Sequence, residues 1–143
     1  MKNELGKSPA LVDTNVLVYA YAEISPNKQK AVELLSDCFS GKTTLAISLQ
    51  NIGEFCDVAL RKYRLAHPIV QRISNHILLC QTFVKVAYTG TTLVSAVALS
   101  AASKLEFWDA TLLATMKENS IDTIYTEDEG FNRVNGVKAI NPF

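Results

Sequence analysis

The sequence predicts an α/β fold, a three-layer α/β/α sandwich around a mostly parallel central sheet. Short apolar runs alternate along the chain with longer stretches of helical period, the pattern made by parallel strands joined through crossover helices. Asp13 and Asp128 each follow one of the short runs. In an open parallel sheet that position is the rim where strands end and ligands bind. Residues 1–143 carry no repeat, low-complexity tract or interdomain linker, so a single domain is expected.

In chain order, Met1 to Ser8 reads as a polar, flexible tail. Ala10 to Val12 suits a short buried strand, and Val16 to Tyr21 a first helix. Ser25 and Pro26 punctuate before a longer helix, in which Ala31, Val32, Leu34, Leu35, Cys38 and Phe39 recur at helical spacing until Gly41. Thr44 to Ile47 is a second strand. Ser48 is a favourable cap for a helix through Tyr63 with a predicted apolar stripe of Leu49, Ile52, Cys56, Ala59 and Leu60. Pro68 to Cys80 follows as a helix facing inward through Ile69, Ile73, Ile77 and Leu78. Phe83 to Tyr88 alternates like a strand that Gly90 is expected to terminate. Helices at Leu93 to Ser103 and Trp108 to Glu118 precede strands at Thr123 to Tyr125 and Val137 to Ile140.

Composition bounds the class. With 143 residues, 48% hydrophobic and 20% charged, the chain can bury a core without staples. Basic and acidic residues number 14 each. Bulk charge therefore gives no attraction to nucleic acid, and any such binding would depend on a local patch or a bound cation. Cys38, Cys56 and Cys80 are odd in number, widely spaced and set in apolar patterns, which fits small buried hydrophobes in a reducing compartment. Asp13 and Asn15 interrupt the one early apolar stretch, so no secretory signal is visible. The stretch LVSAVALSAAS from Leu93 is too short to cross a bilayer and reads as a tightly packed helix. A cytoplasmic location without a membrane partner is expected.

Four acidic residues stand in recognisable settings: Asp13 in LVDTNVLVYA, Glu54 in SLQNIGEF, Asp109 in EFWDATLLA and Asp128 in IYTEDEGF. Carboxylates repel, so a fold that gathers them needs a cation or a shared proton to offset the repulsion. A divalent-metal cage is the reading this layout suggests. Each acid also has a plainer reading. Asp13 suits a helix cap, and Asp109 suits the positive end of a helix dipole. Asp128 sits in the acidic run Glu127, Asp128, Glu129, which fits a solvated turn. Glu54 lies opposite the apolar stripe beside Gln50, Asp57 and Arg61, so periodicity alone places it in solvent.

Taken together, VDTNVLVYA, SLQNIGEF, FWDATLLA and IYTEDEGF, with the closing VNGVKAINPF, resemble a PIN-domain protein of the VapC-like toxin type. The likeness spans Leu11 to Phe143 and keeps the motifs in order; a lone DTN would be weak. The resemblance implies a metal-dependent endoribonuclease using Mg²⁺ or Mn²⁺, with Asp13, Glu54, Asp109 and Asp128 as catalytic metal ligands. Thr14, Asn15 and Thr126 match polar positions implied to orient those ligands or water. It further implies products with a 5′-phosphate and a 3′-hydroxyl, a homodimer, and an antitoxin protein that silences the toxin by presenting Arg or Lys to the acids. Trp108 fits the pattern as packing. Gly53 departs from it, since a bulkier or more polar residue commonly precedes the glutamate, and the turn after Asp128 is compressed into Glu129, Gly130 and Phe131.

Rival chemistries find less support. His67 precedes Pro68 at a helix start and His76 lies on a helix, both ordinary structural settings. Neither a glycine-rich phosphate loop nor a Gly-x-Ser-x-Gly elbow is present. A phosphoryl-accepting α/β domain would also place an Asp after the first strand, but it would need an acidic pair before that strand or a second Asp at the position held by Asn15. A non-catalytic RNA- or protein-binding module would not need its acids intact. Arg61, Lys62 and Arg64 form the one dense basic cluster. They suit either a helix C-terminus or an RNA phosphate contact.

Overall fold

Among the described residues, 8–143 of this computed structural model, strands and helices alternate as the sequence predicts. The order is β1 (Ala10–Val12), α1 (Thr14–Tyr21), α2 (Lys28–Phe39), β2 (Leu45–Ser48), α3 (Leu49–Arg61), α4 (His67–Leu79), β3 (Phe83–Val86), α5 (Gly90–Ser103), α6 (Phe107–Glu118) and β4 (Thr123–Tyr125). A short 3-10 helix (Glu129–Arg133) and β5 (Lys138–Ile140) complete the chain. Residues 1–7 of the expected tail lie outside the described residues. Ser8 belongs to the fold, its hydroxyl donating to the Ser120 carbonyl at 2.7 Å.

The strands pair in parallel throughout, in the order β3-β2-β1-β4-β5. From β1 the chain winds outward through β2 to β3, then returns to β4 on the opposite side of β1. The winding direction thus reverses between β1 and β4. Helices leave the sheet on opposite faces there, and a crevice opens beyond the carboxyl ends of those two strands. Asp13 follows β1, and Thr126 to Asp128 follow β4.

Both faces of the sheet are covered. Val12, Leu45, Ile47 and Phe83 point to one face, under residues of α1, α2, α3 and α4. Leu11, Ala46 and Val86 point to the other, under α5, α6 and Phe131 of the 3-10 helix. This is the two-residue period of a pleated strand with no face left for water. Burial of a large apolar side chain such as Phe55, Phe83 or Phe131 contributes about 1.5–3 kcal/mol.

Several expectations are corrected. On α3 the buried stripe is Ile52, Phe55 and Ala59, while Leu49 stays half exposed. On α4 Ile77 faces inward as expected, joined by Val70, whereas Ile69 and Leu78 stay nearly half exposed. Adjacent apolar stripes have the same period, so spacing does not choose between them. Gly90 opens α5 rather than ending β3, because Thr89 and Thr92 form a reciprocal capping box just before and within the first turn. The stretch after Asp128 winds into the 3-10 helix instead of a simple turn.

The largest correction concerns α5. Thr92 and Ala96 are buried against α6, but the opposite side presents Val94 and Val97 at 75% and 63% exposure. Ala98 and Ala101 continue that exposed stripe. Beneath it, α6 is buried on every side from Ala110 to Met116. Among the described residues no helix is long and apolar enough to cross a membrane.

Candidate active site

Asp13 is placed by the end of β1 and by the cap of α1. Its backbone is extended (φ −76°, ψ 160°), and Oδ1 accepts from the Thr14 N–H at 2.7 Å. The cap reading is therefore real, but it uses only one oxygen. Oδ2 accepts from the Thr126 hydroxyl at 2.7 Å, across 113 residues of sequence. Burial above all, then the carboxylates of Glu54 and Asp128, hold the Asp13 acid above its ordinary range, against the lowering effect of its hydrogen bonds.

Thr126 is a buried hub beyond β4. It accepts from the Asp128 N–H at 2.9 Å and from Asn15 Nδ2 at 3.3 Å while donating to Asp13. Because its proton goes to Asp13, the Asn15 amide must present nitrogen to it. Asn15 Oδ1 is then left buried with no partner among the described residues. Asp128 is exposed and caps the 3-10 helix, with Oδ1 accepting from the Gly130 N–H at 2.8 Å.

Glu54 is exposed, as its place on the helical wheel requires, yet α3 turns that exposed face toward the rim. Its Oε2 accepts from the Thr14 hydroxyl at 2.9 Å, and its Oε1 from Gln50 Nε2 at 3.2 Å. Asp57, one turn on, is tied instead to Arg61 by an exposed ion pair of 3.0 Å. Asp109 lies in the first turn of α6, half buried. Burial, followed by Asp128, Asp13, Glu54 and Glu106, pushes its carboxyl up to about 6.

The Asp13 and Asp109 carboxyls thus both feel Glu54 and Asp128 at the rim between β1 and β4. Neither of the ion pairs among the described residues, Lys42 with Asp37 and Arg61 with Asp57, involves any of them. No group of three His, Cys, Asp or Glu side chains among the described residues is arranged closely enough to hold an ion as it stands. Hard oxygen donors of this kind suit a small divalent cation that keeps several of its waters.

The sequence reading missed Asn51 and Glu106. Asn51 is fully buried, and its Nδ2 donates to Asp13 Oδ1 at 3.3 Å and to Thr14 Oγ1 at 3.1 Å. Its own Oδ1 accepts from Ser48 Oγ at 2.7 Å, and Ser48 in turn caps the Asn51 N–H. The Ser-x-x-Asn spacing before a helix was the available signal. Glu106, the residue before α6, adds a fifth carboxylate near Asp109.

The three residues of the basic cluster have different local settings. Lys62 lines a groove with Thr14, Asn15, Tyr19 and Glu127. Arg61 is held by Asp57, and Arg64 sits in a left-handed turn at φ 54°. His67 and His76 are exposed on α4, where His76 packs on Phe39 at 4.4 Å between ring centroids. Cys38, Cys56 and Cys80 are all free, the first buried and the others half buried.

The fold recurs in solved structures. A toxin–antitoxin complex from Klebsiella pneumoniae matches at 25% identity, covering 94% of this chain and 98% of that one, with a TM-score of 0.66. VapC20 of Mycobacterium tuberculosis, described as a toxin that cleaves the sarcin–ricin loop, matches at 20% identity over 83% and 89% of the two chains, with a TM-score of 0.67. VapBC2 of Rickettsia felis, bound to a DNA fragment from its promoter, matches at 16% identity over 94% and 98%, with a TM-score of 0.63. No curated protein sequence matches the chain. The family model for the PIN domain matches residues 10–137, nearly the whole described chain, and the chain belongs to the PIN domain family.

Proposed function

We propose that this protein is a divalent-metal-dependent endoribonuclease and the toxin half of a toxin–antitoxin pair. The observation that carries the reading is a rim where Asp13, Glu54 and Asp128 all act on the Asp109 carboxyl, with no Lys or Arg among the described residues paired to any of the four. Such a site is built for a cation from outside the chain. The orphaned Asn15 Oδ1 beside Asp13 gives it a further hard oxygen donor. Bound there, Mg²⁺ or Mn²⁺ would activate water and neutralise charge on the phosphate and leaving oxygen during in-line hydrolysis. Thr14, Thr126 and Asn51 fix the carboxylate orientations through the hydrogen bonds described above, as supporting residues do at metal sites. Lys62, which lines a groove with Thr14 and Asn15, is suited to hold an RNA phosphate without reading sequence.

The test combines binding and cleavage. Millimolar Mg²⁺ or Mn²⁺ is expected to raise the melting temperature by mass action. It should also restore cleavage of single-stranded RNA by chelator-treated protein. Calorimetry with no divalent binding at millimolar concentration would remove the metal centre, and retained cleavage in excess chelator would remove its role.

The antitoxin proposal rests on the toxin–antitoxin assemblies among the similar structures. A cationic side chain inserted among the acids would mimic the cation and silence the site. The homodimer proposal is supported by the α5 stripe of Val94, Val97, Ala98 and Ala101, which is apolar and faces outward. A helix that is apolar all round calls for cover on both sides. Light scattering should show a dimer at high micromolar concentration and a monomer for Val97→Lys, with the fold intact because Val97 is exposed. A monomeric parent chain would refute the dimer.

A further inference from the structure

Beside the acids lies a cleft of about 600 Å³ that the metal chemistry leaves unused. Its walls are Leu49, Gly53 and Glu54 of α3, Ala87 and Tyr88 after β3, and Trp108 of α6. Trp108 is 51% exposed and Tyr88 39%, with ring centroids 6.0 Å apart and planes inclined by 54°. Phe107 supports Trp108 from behind in an edge-to-face contact at 5.2 Å. Two half-bare aromatic rings at the mouth of a cleft form a stacking shelf rather than core packing.

The shelf is continuous with the acidic rim. Glu54 is at once a wall of the cleft and a partner of Thr14 at the site. Trp108 immediately precedes Asp109. Gln50 Nε2 joins the two regions by donating to the Trp108 carbonyl at 2.9 Å and to Glu54 Oε1 at 3.2 Å. Gln50 Oε1 is buried without a partner among the described residues, so the amide is one bond short where it borders the cleft.

Gly53 adds an independent observation. Glycine inside a helix is destabilising relative to alanine. A Cβ built at Gly53 would meet nothing within 4 Å, so neither crowding nor backbone conformation explains the residue. What a side chain at this position would occupy is the cleft itself.

We infer that the Trp108–Tyr88 cleft is a nucleobase subsite, in which an unpaired base of the RNA stacks on the aromatic shelf while the adjoining phosphodiester lies at the acids. The inference rests on the ribonuclease reading and deepens it. A base is the occupant that fits: it offers a flat π face to stack on Trp108, with the inclined Tyr88 ring along its edge, and it is tethered to the phosphate that the neighbouring acids are proposed to process. Only a single-stranded or unstacked nucleotide can enter, so the cleft selects against duplex RNA. Trp108 and Tyr88 are positioning and specificity residues in this account.

Trp108 is the only tryptophan in the chain, so its emission reports on the cleft directly. In the cleavage-silent Asp13→Asn protein, an unstructured ten-nucleotide RNA is expected to quench that emission. The same strand in a duplex, or with an abasic residue at the cut site, should quench far less. Trp108→Ala should weaken binding roughly 5- to 150-fold, the range of one base–aromatic stack, while Trp108→Phe retains most of it. Gly53→Leu should weaken binding comparably without lowering the melting temperature. In the otherwise unaltered chain, Trp108→Ala should raise KM more than it lowers kcat. Unchanged RNA affinity in both Trp108→Ala and Gly53→Leu would overturn the inference even if the chain cleaves RNA. Quenching by a cationic amphipathic peptide with no response to RNA would assign the cleft to a protein partner and overturn it equally. If the chain proves not to be a nuclease, the binding measurements still decide whether the cleft takes a base.

Discussion

Asp109→Asn is expected to lower RNA cleavage by at least about 100-fold while leaving the metal-free protein as stable as the parent or more so. Asparagine keeps the size of the side chain at the first turn of α6 but removes a negative charge on which Asp128, Asp13, Glu54 and Glu106 converge. The lost dipole interaction is worth only about 0.3–1 kcal/mol, and the relief of repulsion offsets it. The pH dependence has a definite sign. In the folded chain this carboxyl titrates at about 6, above its ordinary 3.8. The folded state therefore binds the proton more tightly, and the associated stability is present below about pH 4 and lost as pH rises through about 6. Melting temperatures in chelator should show the variant gaining more over the parent at about pH 7.5 than at about pH 4.5. Cleavage by the parent should fall as pH drops below about 6, where a proton competes with the cation. Near-normal cleavage by Asp109→Asn would reduce Asp109 to a helix-dipole residue.

Glu54→Gln, compared with Asp57→Asn on the same helix, is the second large effect. Both residues are exposed and stand three positions apart on α3. Glu54 turns to the rim and bonds Thr14, whereas Asp57 turns away and pairs with Arg61. Glu54→Gln should lose cleavage by at least about tenfold, since glutamine preserves the shape but not the charge a cation needs. Asp57→Asn should cleave like the parent and melt at nearly the same temperature, since an exposed ion pair contributes little. Initial rates on one RNA at saturating Mg²⁺, with melting curves for both variants, make the comparison. Equal activity in the two variants, or a selective loss in Asp57→Asn, would place the site elsewhere.

Glu54 also marks the limit of local reasoning about this chain. Its place on the helical wheel is opposite the buried stripe, and the structure agrees that it is exposed. Exposure, however, does not say what a residue faces. The rim comes to Glu54 because β1 lies next to β2 and carries Thr14 to the start of α3. Asn51 was hidden for the opposite reason. A polar residue one turn into a helix reads as solvated, but this one is buried because both ends of its amide have partners.

The sequence by itself determined the type and order of the main elements, the parallel α/β layering, the strand-end settings of Asp13 and Asp128, and the Ser48 cap of α3. These depend on periods of two and 3.6 and on short-range hydrogen bonds, all of which lie within a few residues of chain. The tertiary structure alone decided the strand order β3-β2-β1-β4-β5, which puts the switch point between β1 and β4 and draws acids from four distant segments to one rim. It also decided which stripe of α4 is buried, and it left the Val94 and Val97 side of α5 bare. Those outcomes depend on which surface each helix meets, and in an apolar helix such as α5 no polar stripe encodes that choice.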